Sequence, residues 1–356
     1  MKLDFTYDQL PARVVFGIGA FDKLEAEVAR LKLKKLLVLS TPGQQKLAVA
    51  AAERLRGRCA GIHAKAVMHV PVEVAETACA EVQRLGADGV VAIGGGSTIG
   101  LGKAIALETA LPIIAVPTTY AGSEMTPIYG LTEGGQKKTG RDARVLPKAV
   151  IYDPLFTLDL PVAVSGPSGM NAIAHCVEAL YAENANPVIS ALAEQGIAAL
   201  ANGLPRIAAR PADIEARSQA LYGAWLAGIA LGSVGMALHH KLCHMLGGSF
   251  NLPHAETHTI VLPHAAAYNA AAAPDAMVRV AQALGAGDAA GGLYDLAVSL
   301  GARMALREIG MREDDLEKAA EIATRDPYYN PRRVDQAAIR DLLVDAYHGR
   351  RPRSVT

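Results

Sequence analysis

The sequence has no excess of charge of either sign, since its 356 residues include 35 Lys and Arg and 35 Asp and Glu. Nucleic acids and anionic membrane surfaces attract proteins with a basic excess, so we expect neither as a partner. Cysteine is also scarce, with four residues and no C-x-x-C pair. That favours reduced thiols in a cytoplasmic protein over a disulfide framework. Residues 1–10 lack the pattern of a signal peptide.

One uncharged run has to be considered as a possible membrane span. The segment Ala220–Leu238 carries no charge over about the length of a transmembrane helix. Four glycines make it only weakly apolar, and it runs directly into two histidines and a lysine. We therefore predict that it is the buried central helix of a helical domain, within one long helix over Ile214–Leu238, and that the protein does not enter a membrane.

Strand and helix signals alternate over the first part of the chain and then give way to helical signals alone. Short apolar runs typical of buried strands lie at Lys35–Leu39, Gly89–Ile93, Leu111–Val116 and Ala149–Tyr152, and an amphipathic helix is indicated at Val72–Leu85. This alternation predicts an α/β domain with a mostly parallel sheet over residues 1–158. An all-helical domain is predicted over residues 159–356, with the active site in the cleft between the two domains.

A glycine-rich turn formed by Gly94, Gly95, Gly96 and Ser97 lies directly between a predicted strand and a helix. Glycines there let the backbone approach a phosphate, and the helix N-terminus offers free N–H groups and a positive dipole end. The same residues also suit a tight turn without a ligand. The spacing is not G-x-G-x-x-G, so an ordinary Rossmann enzyme is not indicated.

A second polar segment, at 117–124, follows the next predicted strand. The hydroxyl groups of Thr118, Thr119 and Ser123 could bind a ribose, a phosphate or a carboxamide, or they could belong to an ordinary polar loop. Ligands of parallel sheets bind at the carboxyl ends of the strands, and both segments lie at such ends.

Histidines are concentrated in the predicted helical domain, which holds eight of the ten. Seven of these lie between residues 175 and 264: His175, His239, His240, His244, His254, His258 and His264. His240 and His244 are four residues apart and share one helix face, as do Asn171 and His175. His254 follows a proline and is predicted to lie in a loop. Any one of these could be a satisfied core histidine, but together they could surround a cation or a polar substrate.

Taken in order, these motifs resemble the iron-containing (group III) alcohol dehydrogenase family over nearly the whole chain. The motifs are F-G-x-G at 16–19, the glycine turn, Lys103, P-T-T at 117–119, G-S-E at 122–124, N-x-x-x-H at 171–175, H-x-x-x-H at 240–244 and P-H at 253–254. The resemblance implies a dinucleotide-binding domain followed by a helical catalytic domain, an architecture shared with dehydroquinate synthase. It also implies that the glycine turn and the polar segment at 117–124 bind NADH or NADPH, and that the protein is a homodimer.

The sequence departs from the family pattern at the metal site. Asn171 stands where metal-dependent members have an Asp, and a neutral amide is a poor ligand for a hard divalent ion. The other ligands that the resemblance implies are His175, His240 and His254. Three imidazoles could still hold Fe²⁺ or Zn²⁺, with lower affinity.

Two further departures concern the coenzyme. Gly100 replaces the Asp that the family carries after its glycine turn. A second Asp, which would hold the ribose of NAD, is replaced within the turn at Ser40 and Thr41. Without that carboxylate to repel a 2′-phosphate, we expect the protein to accept NADPH beside NADH.

These departures, with H-H-K-L-C-H at 239–244, resemble the maleylacetate reductase subgroup of the family. That resemblance implies reduction of the C=C bond of maleylacetate to 3-oxoadipate during the degradation of aromatic and chloroaromatic compounds. Within it, His240 and His244 would stabilise an enolate and donate a proton, with His175 and His254 in the same pocket.

The substrate of that reaction is a small dicarboxylate, so cationic side chains are needed to bind it. Lys241 and Arg325 are the candidates. Two alternatives remain open on the sequence alone. One is a metal-dependent alcohol or polyol dehydrogenase of the same family, and the other is a catalytically idle dinucleotide-binding protein.

Overall fold

The computed structural model describes residues 5–134 and 136–352. They form two compact units, a first unit from Gln9 to Leu160 and a second unit that comprises residues 5–8 and 161–352. The first unit contains the strands and the second is helical, so the predicted fold class is confirmed.

The first unit is built around a six-stranded sheet with neighbours in the order β1-β8-β5-β4-β2-β3, parallel throughout. A separate antiparallel hairpin, which the sequence analysis did not predict, pairs β6 with β7. The strands are β1 Arg13–Phe16, β2 Leu36–Leu39, β3 Cys59–His63, β4 Gly89–Gly94, β5 Ile113–Pro117, β6 Ile128–Glu133, β7 Gln136–Arg141 and β8 Ala149–Tyr152. The helices are α1 Leu24–Arg30, α2 Gln45–Arg54, α3 Val72–Leu85 and α4 Gly96–Thr109.

The central strands are apolar at every position because both faces of the sheet are covered. All residues of β2, β4, β5 and β8 are buried, as expected of parallel strands between helices. The predicted strand runs therefore coincide with the observed strands to within two residues.

The order of the strands reverses at β2. This strand pairs with β3 on one side and with β4 on the other, so the chain leaves β2 in one direction and returns on the opposite side. In doubly wound sheets, a crevice opens at such a switch point, outside the carboxyl ends of the two strands. Here those ends are Leu39 and Gly94.

The second unit consists of nine helices in the part of the chain that the structure describes. They are α5 Val162–Ala179, α6 Pro187–Ala209, α7 Ile214–Ser233, α8 Leu238–Phe250, α9 His254–Asn269, α10 Pro274–Leu284, α11 Ala289–Ser299, α12 Leu316–Arg325 and α13 Gln336–His348. Side-chain caps start several of them. Asn186, Asp213, Asp288 and Asp335 each accept a backbone N–H from the first turn that follows.

The long helix predicted over Ile214–Leu238 is wrong, because α7 ends at Ser233 and α8 begins at Leu238 after a bend of 93°. The turn between them is fixed from outside, since Asn184 Oδ1 accepts the backbone N–H of Gly235. Within the described ranges, no single helix is long and apolar enough to cross a membrane, although α7 and α8 pass that test as a bent pair.

Candidate active site

The glycine turn lies at the switch point and leaves no room for side chains at Gly94 and Gly95. Gly94 has a φ of +154°, and a Cβ on it would lie 2.4 Å from Thr98 Oγ1. A Cβ on Gly95 would lie 2.9 Å from Thr119 Cγ2. α4 starts immediately afterwards at the exposed Gly96. The N–H groups of Thr98 and Ile99 already donate to the carbonyl of Gly95, so those of Gly96 and Ser97 are the ones available to an anion.

Three predicted coenzyme segments are joined by one short hydrogen-bond network. Gln44 Nε2 donates to Thr118 Oγ1 over 2.9 Å, and Thr41 Oγ1 donates to Gln44 Oε1 over 3.3 Å. The backbone N–H of Thr118 donates to the carbonyl of Gly94 over 3.1 Å. Sequence reasoning missed Gln44, whose only signal is its position three residues after Thr41 in the turn that follows β2.

The remaining predicted coenzyme residues have different surroundings. Ser40 is buried, and its hydroxyl donates to the carbonyl of Thr41, so it stabilises the turn. Thr119 packs against Gly95. Ser97 and Ser123 are each partly exposed at the start of a helical turn. The structure thus brings Ser97, Thr119 and the Thr41–Gln44–Thr118 network to one edge of the sheet.

A buried lysine fixes the segment that follows Ser123. Lys103 Nζ donates to the carbonyl oxygens of Thr126 and Ile128 over 2.8 and 2.6 Å and to Thr126 Oγ1 over 2.9 Å. Burial lowers the pKa of Lys103 to about 7, partly offset by the nearby charge of Glu124. Lys103 therefore links α4 to the residues that directly follow the polar segment at 117–124.

In the second unit, α5, α8 and α9 bring together the histidine cluster, defined here as His175, His240, His244, His254 and His258. His175 and His240 stack with ring centroids 5.0 Å apart. His258 lies 5.0 Å from His240 and 4.2 Å from His254, again between ring centroids. All four histidines predicted as catalytic are therefore members of one cluster.

A buried carboxylate holds the cluster in place. Glu178 accepts the backbone N–H groups of Ala237 and His239, over 2.8 and 2.6 Å, at the N-terminus of α8. It also accepts Nδ1–H of His240 over 2.7 Å. Burial raises the pKa of this carboxyl group, whereas His239 and the two backbone donors act in the opposite direction, as does the positive end of α8.

The bond to Glu178 determines which nitrogen of His240 is available. With Nδ1 donating, Nε2 carries the lone pair, and this atom is buried without a partner among the described residues. Burial and the neighbouring histidines lower the pKa of His240 well below its usual value. The ring is therefore neutral at neutral pH as long as no anionic ligand is bound beside it. Sequence reasoning missed Glu178, although it is the sole acidic residue of the apolar helix that carries His175.

His258 is a second residue that sequence reasoning did not select. Both of its ring nitrogens are buried without a partner in the described part of the chain, as are His175 Nδ1 and Asn171 Oδ1. Buried polar atoms are nearly always hydrogen-bonded. These four atoms, together with His240 Nε2, therefore indicate that this part of the unit can bind a polar ligand.

The outer edge of the cluster is exposed. His244 and His254 lie on the surface of the chain, with their rings nearly parallel and 6.4 Å apart. His254 is not in a loop, as the sequence suggested, but is the first residue of α9, because Pro253 fits the position before a helix. His244 Nδ1 lies 3.4 Å from the hydroxyl of Tyr328.

The donor set of the cluster fits a divalent metal ion only in part. His175, His240 and His254 offer imidazole nitrogens, a ligand type that suits Zn²⁺ and Fe²⁺. The fourth position is the neutral amide of Asn171, and the nearby carboxylate of Glu178 already accepts three hydrogen bonds. The residues suit such an ion in ligand type but not in charge.

A second trio, His239, His240 and His258, has potential ligand atoms within 4.8 Å of one another. However, His239 Nε2 donates to the carbonyl of His258 over 3.0 Å, and His240 Nδ1 is bound to Glu178. His239 is therefore better described as a structural residue that joins α8 to α9.

The chain is similar to known proteins over nearly its whole length. The family model for iron-containing alcohol dehydrogenase matches residues 11–154, and its C-terminal counterpart matches residues 166–347. Maleylacetate reductase from Burkholderia cepacia is 56% identical over 348 residues, covering 98% of this chain and 99% of that protein.

Two solved structures show the same similarity. The crystal structure of maleylacetate reductase from Agrobacterium tumefaciens is 52% identical with a TM-score of 0.96, covering 99% of this chain and all of the other. A structure from Ralstonia eutropha, described as an alcohol dehydrogenase, is 61% identical with a TM-score of 0.98 and the same coverage.

Proposed function

The chain belongs to the iron-containing alcohol dehydrogenase family, and on that premise we propose that it reduces the C=C bond of maleylacetate to 3-oxoadipate, using NADH or NADPH. It is an oxidoreductase, as the sequence predicted. The observation that carries the proposal is the imidazole cluster, in which the neutral Asn171 lies on the same helix as His175 and stands where metal-dependent members of the family have an Asp. This site suits an enolate better than a metal-bound alkoxide. The similarity to maleylacetate reductases over nearly the full length supports it.

The coenzyme is proposed to bind at the switch point of the sheet. Backbone N–H groups at the start of α4 face the pyrophosphate of the coenzyme. The pyrophosphate can approach them because Gly94 and Gly95 carry no side chains. Thr41, Gln44 and Thr118 form the adjoining edge and carry no negative charge. Both a free ribose and a 2′-phosphate are therefore accepted there.

The reaction adds a hydride and a proton across a C=C bond that is conjugated with a ketone. When bound, the nicotinamide supplies the hydride, which adds to the alkene carbon β to the ketone. The electron pair of the alkene then moves towards the ketone oxygen and leaves an enolate. Uptake of one proton by the α carbon restores the ketone and completes 3-oxoadipate.

The residues of the cluster divide the stabilisation and the proton transfer. His240 lies deep, and Glu178 behind it stabilises the imidazolium that forms when a dianionic substrate lowers the local potential. The resulting Nε2–H donates to the enolate oxygen. His244 lies at the exposed edge, where solvent can restore the proton that it delivers. None of these steps requires a Lewis acid.

The metal-dependent alcohol or polyol dehydrogenase is not favoured, because the donor set lacks an anionic ligand. The proposal is tested by NADH oxidation with maleylacetate, simple aldehydes and glycerol, each with and without a chelator. We expect activity on maleylacetate that survives chelation. Activity confined to aldehydes or glycerol and abolished by the chelator would reject it. No nicotinamide oxidation with any substrate would favour the idle dinucleotide-binding protein.

Several sequence-based expectations stay proposals at this point. They are a homodimer, a cytoplasmic location and a role in the catabolism of aromatic compounds. The proposed reaction fits the last of these, because 3-oxo-dicarboxylates arise when oxidised aromatic rings are opened and reduced.

A further inference from the structure

We propose that Lys241 and Tyr328 form the subsite that binds a carboxylate of the substrate, which makes the enzyme selective for dianions. This inference rests on the proposed function and adds the residues that recognise the substrate charge. The subsite lies wholly within the second unit. It adjoins His244, at the exposed edge of the histidine cluster.

The first observation is the position of Lys241. It occupies α8 between His240 and His244, and its Nζ lies 5.2 Å from the centre of the Tyr328 ring. In the described ranges, no carboxylate lies within ion-pair distance of Lys241, whereas Arg325, the other candidate, is paired with Glu321 over 2.6 Å. Lys241 is thus a cation beside the cluster whose charge is not already neutralised.

The second observation is that Tyr328 reaches the cluster from a distant segment. It follows α12, 84 residues from His244 in sequence, yet its hydroxyl lies 3.4 Å from His244 Nδ1. The rings of His244 and Tyr328 meet edge to face with centroids 6.4 Å apart. Tyr328 therefore holds the ammonium of Lys241 on one side and contacts the proposed proton donor on the other.

The chemistry of this group matches a carboxylate. An ammonium, a phenolic hydroxyl and an imidazole are all hydrogen-bond donors, and a carboxylate accepts from two oxygens. A hydrogen bond from a charged donor is stronger than one between neutral groups. A substrate bound here has its carboxylate at the edge of the cluster and its enone towards His240.

The test uses five forms of the enzyme: the wild type, Lys241→Met, Lys241→Arg, Tyr328→Phe and the matched control Lys318→Met. Lys318 is exposed on α12 in the same unit. The KM and kcat for maleylacetate are measured beside the affinity for adipate, an unreactive dianion of the same chain length, by calorimetry. A neutral probe, adipamide, shows whether charge is responsible.

We expect Lys241→Met to raise the KM for maleylacetate and the Kd for adipate by about 10- to 100-fold, the range for a lost hydrogen bond to a charged group. The kcat should stay within about threefold, since the lost contact is ordinary ground-state binding. Lys241→Arg should retain most of the affinity, and Lys318→Met all of it. Tyr328→Phe should raise the KM by a smaller factor.

An unchanged KM and adipate affinity in Lys241→Met would overturn the inference and leave the proposed function standing. So would an equal loss in Lys241→Arg, or an equal loss of adipamide binding, because either would show that packing and not charge is involved. A wild type that binds adipate through Lys241 but does not reduce maleylacetate would reject the proposed function alone.

Discussion

The strand ends of the first unit and the histidine cluster of the second are built from different kinds of polar atom. At the strand ends, Thr41, Gln44 and Thr118 are hydrogen-bonded to one another, and the open donors belong to the backbone. In the cluster, buried nitrogens of His240 and His258 have no partner among the described residues. A site that presents backbone groups depends on glycines and geometry, whereas a site with unpaired side chains depends on individual residues.

This difference between the two regions predicts that substitutions in the histidine cluster have the largest effects on activity. His240→Ala and His244→Ala should each lower kcat by about 10²-fold or more, the scale for a lost general acid or oxyanion donor. The KM for NADH should hardly change, because the coenzyme residues are elsewhere. Steady-state kinetics with both substrates varied gives both constants, and a tenfold rise in the KM for NADH would contradict the separation of roles.

Glu178→Gln extends this prediction to the residue behind His240. An amide NH₂ facing Nδ1 opposes the tautomer that leaves Nε2 available, so kcat should fall by about 10²-fold. In a His240→Ala background the same change should cost little more, because the two residues act as one unit. Asp213→Ala is the control, since it removes a cap of about 1 kcal/mol from α7 and should leave kcat unchanged.

A smaller effect is expected at the strand ends, from Gly95→Val. The new Cβ would lie 2.9 Å from Thr119 Cγ2 and would obstruct the approach of the pyrophosphate. The KM for NADH should rise tenfold or more, which corresponds to about 1.4 kcal/mol. Gly287→Val is the matched control, because a Cβ there meets nothing within 4 Å. Unchanged coenzyme kinetics in a folded Gly95→Val protein would remove the turn from the site.

Coenzyme choice should respond to a single charge at Thr41. Thr41→Asp places a carboxylate beside the proposed 2′-phosphate position and should raise the KM for NADPH by about tenfold while altering that for NADH less. Thr41→Asn gives a similar shape without the charge and should leave the preference unaltered. If the wild type already rejects NADPH by several orders of magnitude, another carboxylate must guard the ribose.

The smallest effect on turnover is expected from Asn171→Asp. An anionic ligand beside three imidazoles should increase metal uptake, measured by elemental analysis, without raising kcat for maleylacetate. Asn186→Asp is the control, because it adds the same charge at the cap of α6. Wild-type protein should carry well under one metal per chain. Stoichiometric metal whose removal abolishes activity and whose return restores it would favour the metal-dependent dehydrogenase.

The sequence predicted best those features that depend on neighbouring residues. The bounds of α3 and β8 agree with the predicted ranges, because amphipathic periodicity and short apolar runs are local patterns. The bend after Ser233 was missed because it depends on a residue that is distant in the sequence. It is fixed by Asn184, which comes from a different part of the chain.

By itself, the sequence determined the fold class, the family and the glycine turn, since each is encoded in patterns along the chain. Only the tertiary structure decided which side chains share a site. Glu178 and His240 are 62 residues apart, and Tyr328 and His244 are 84 apart. Such pairs depend on how α5, α8 and the segment after α12 pack. Packing also decides which polar atoms lose water and which of them keep a partner.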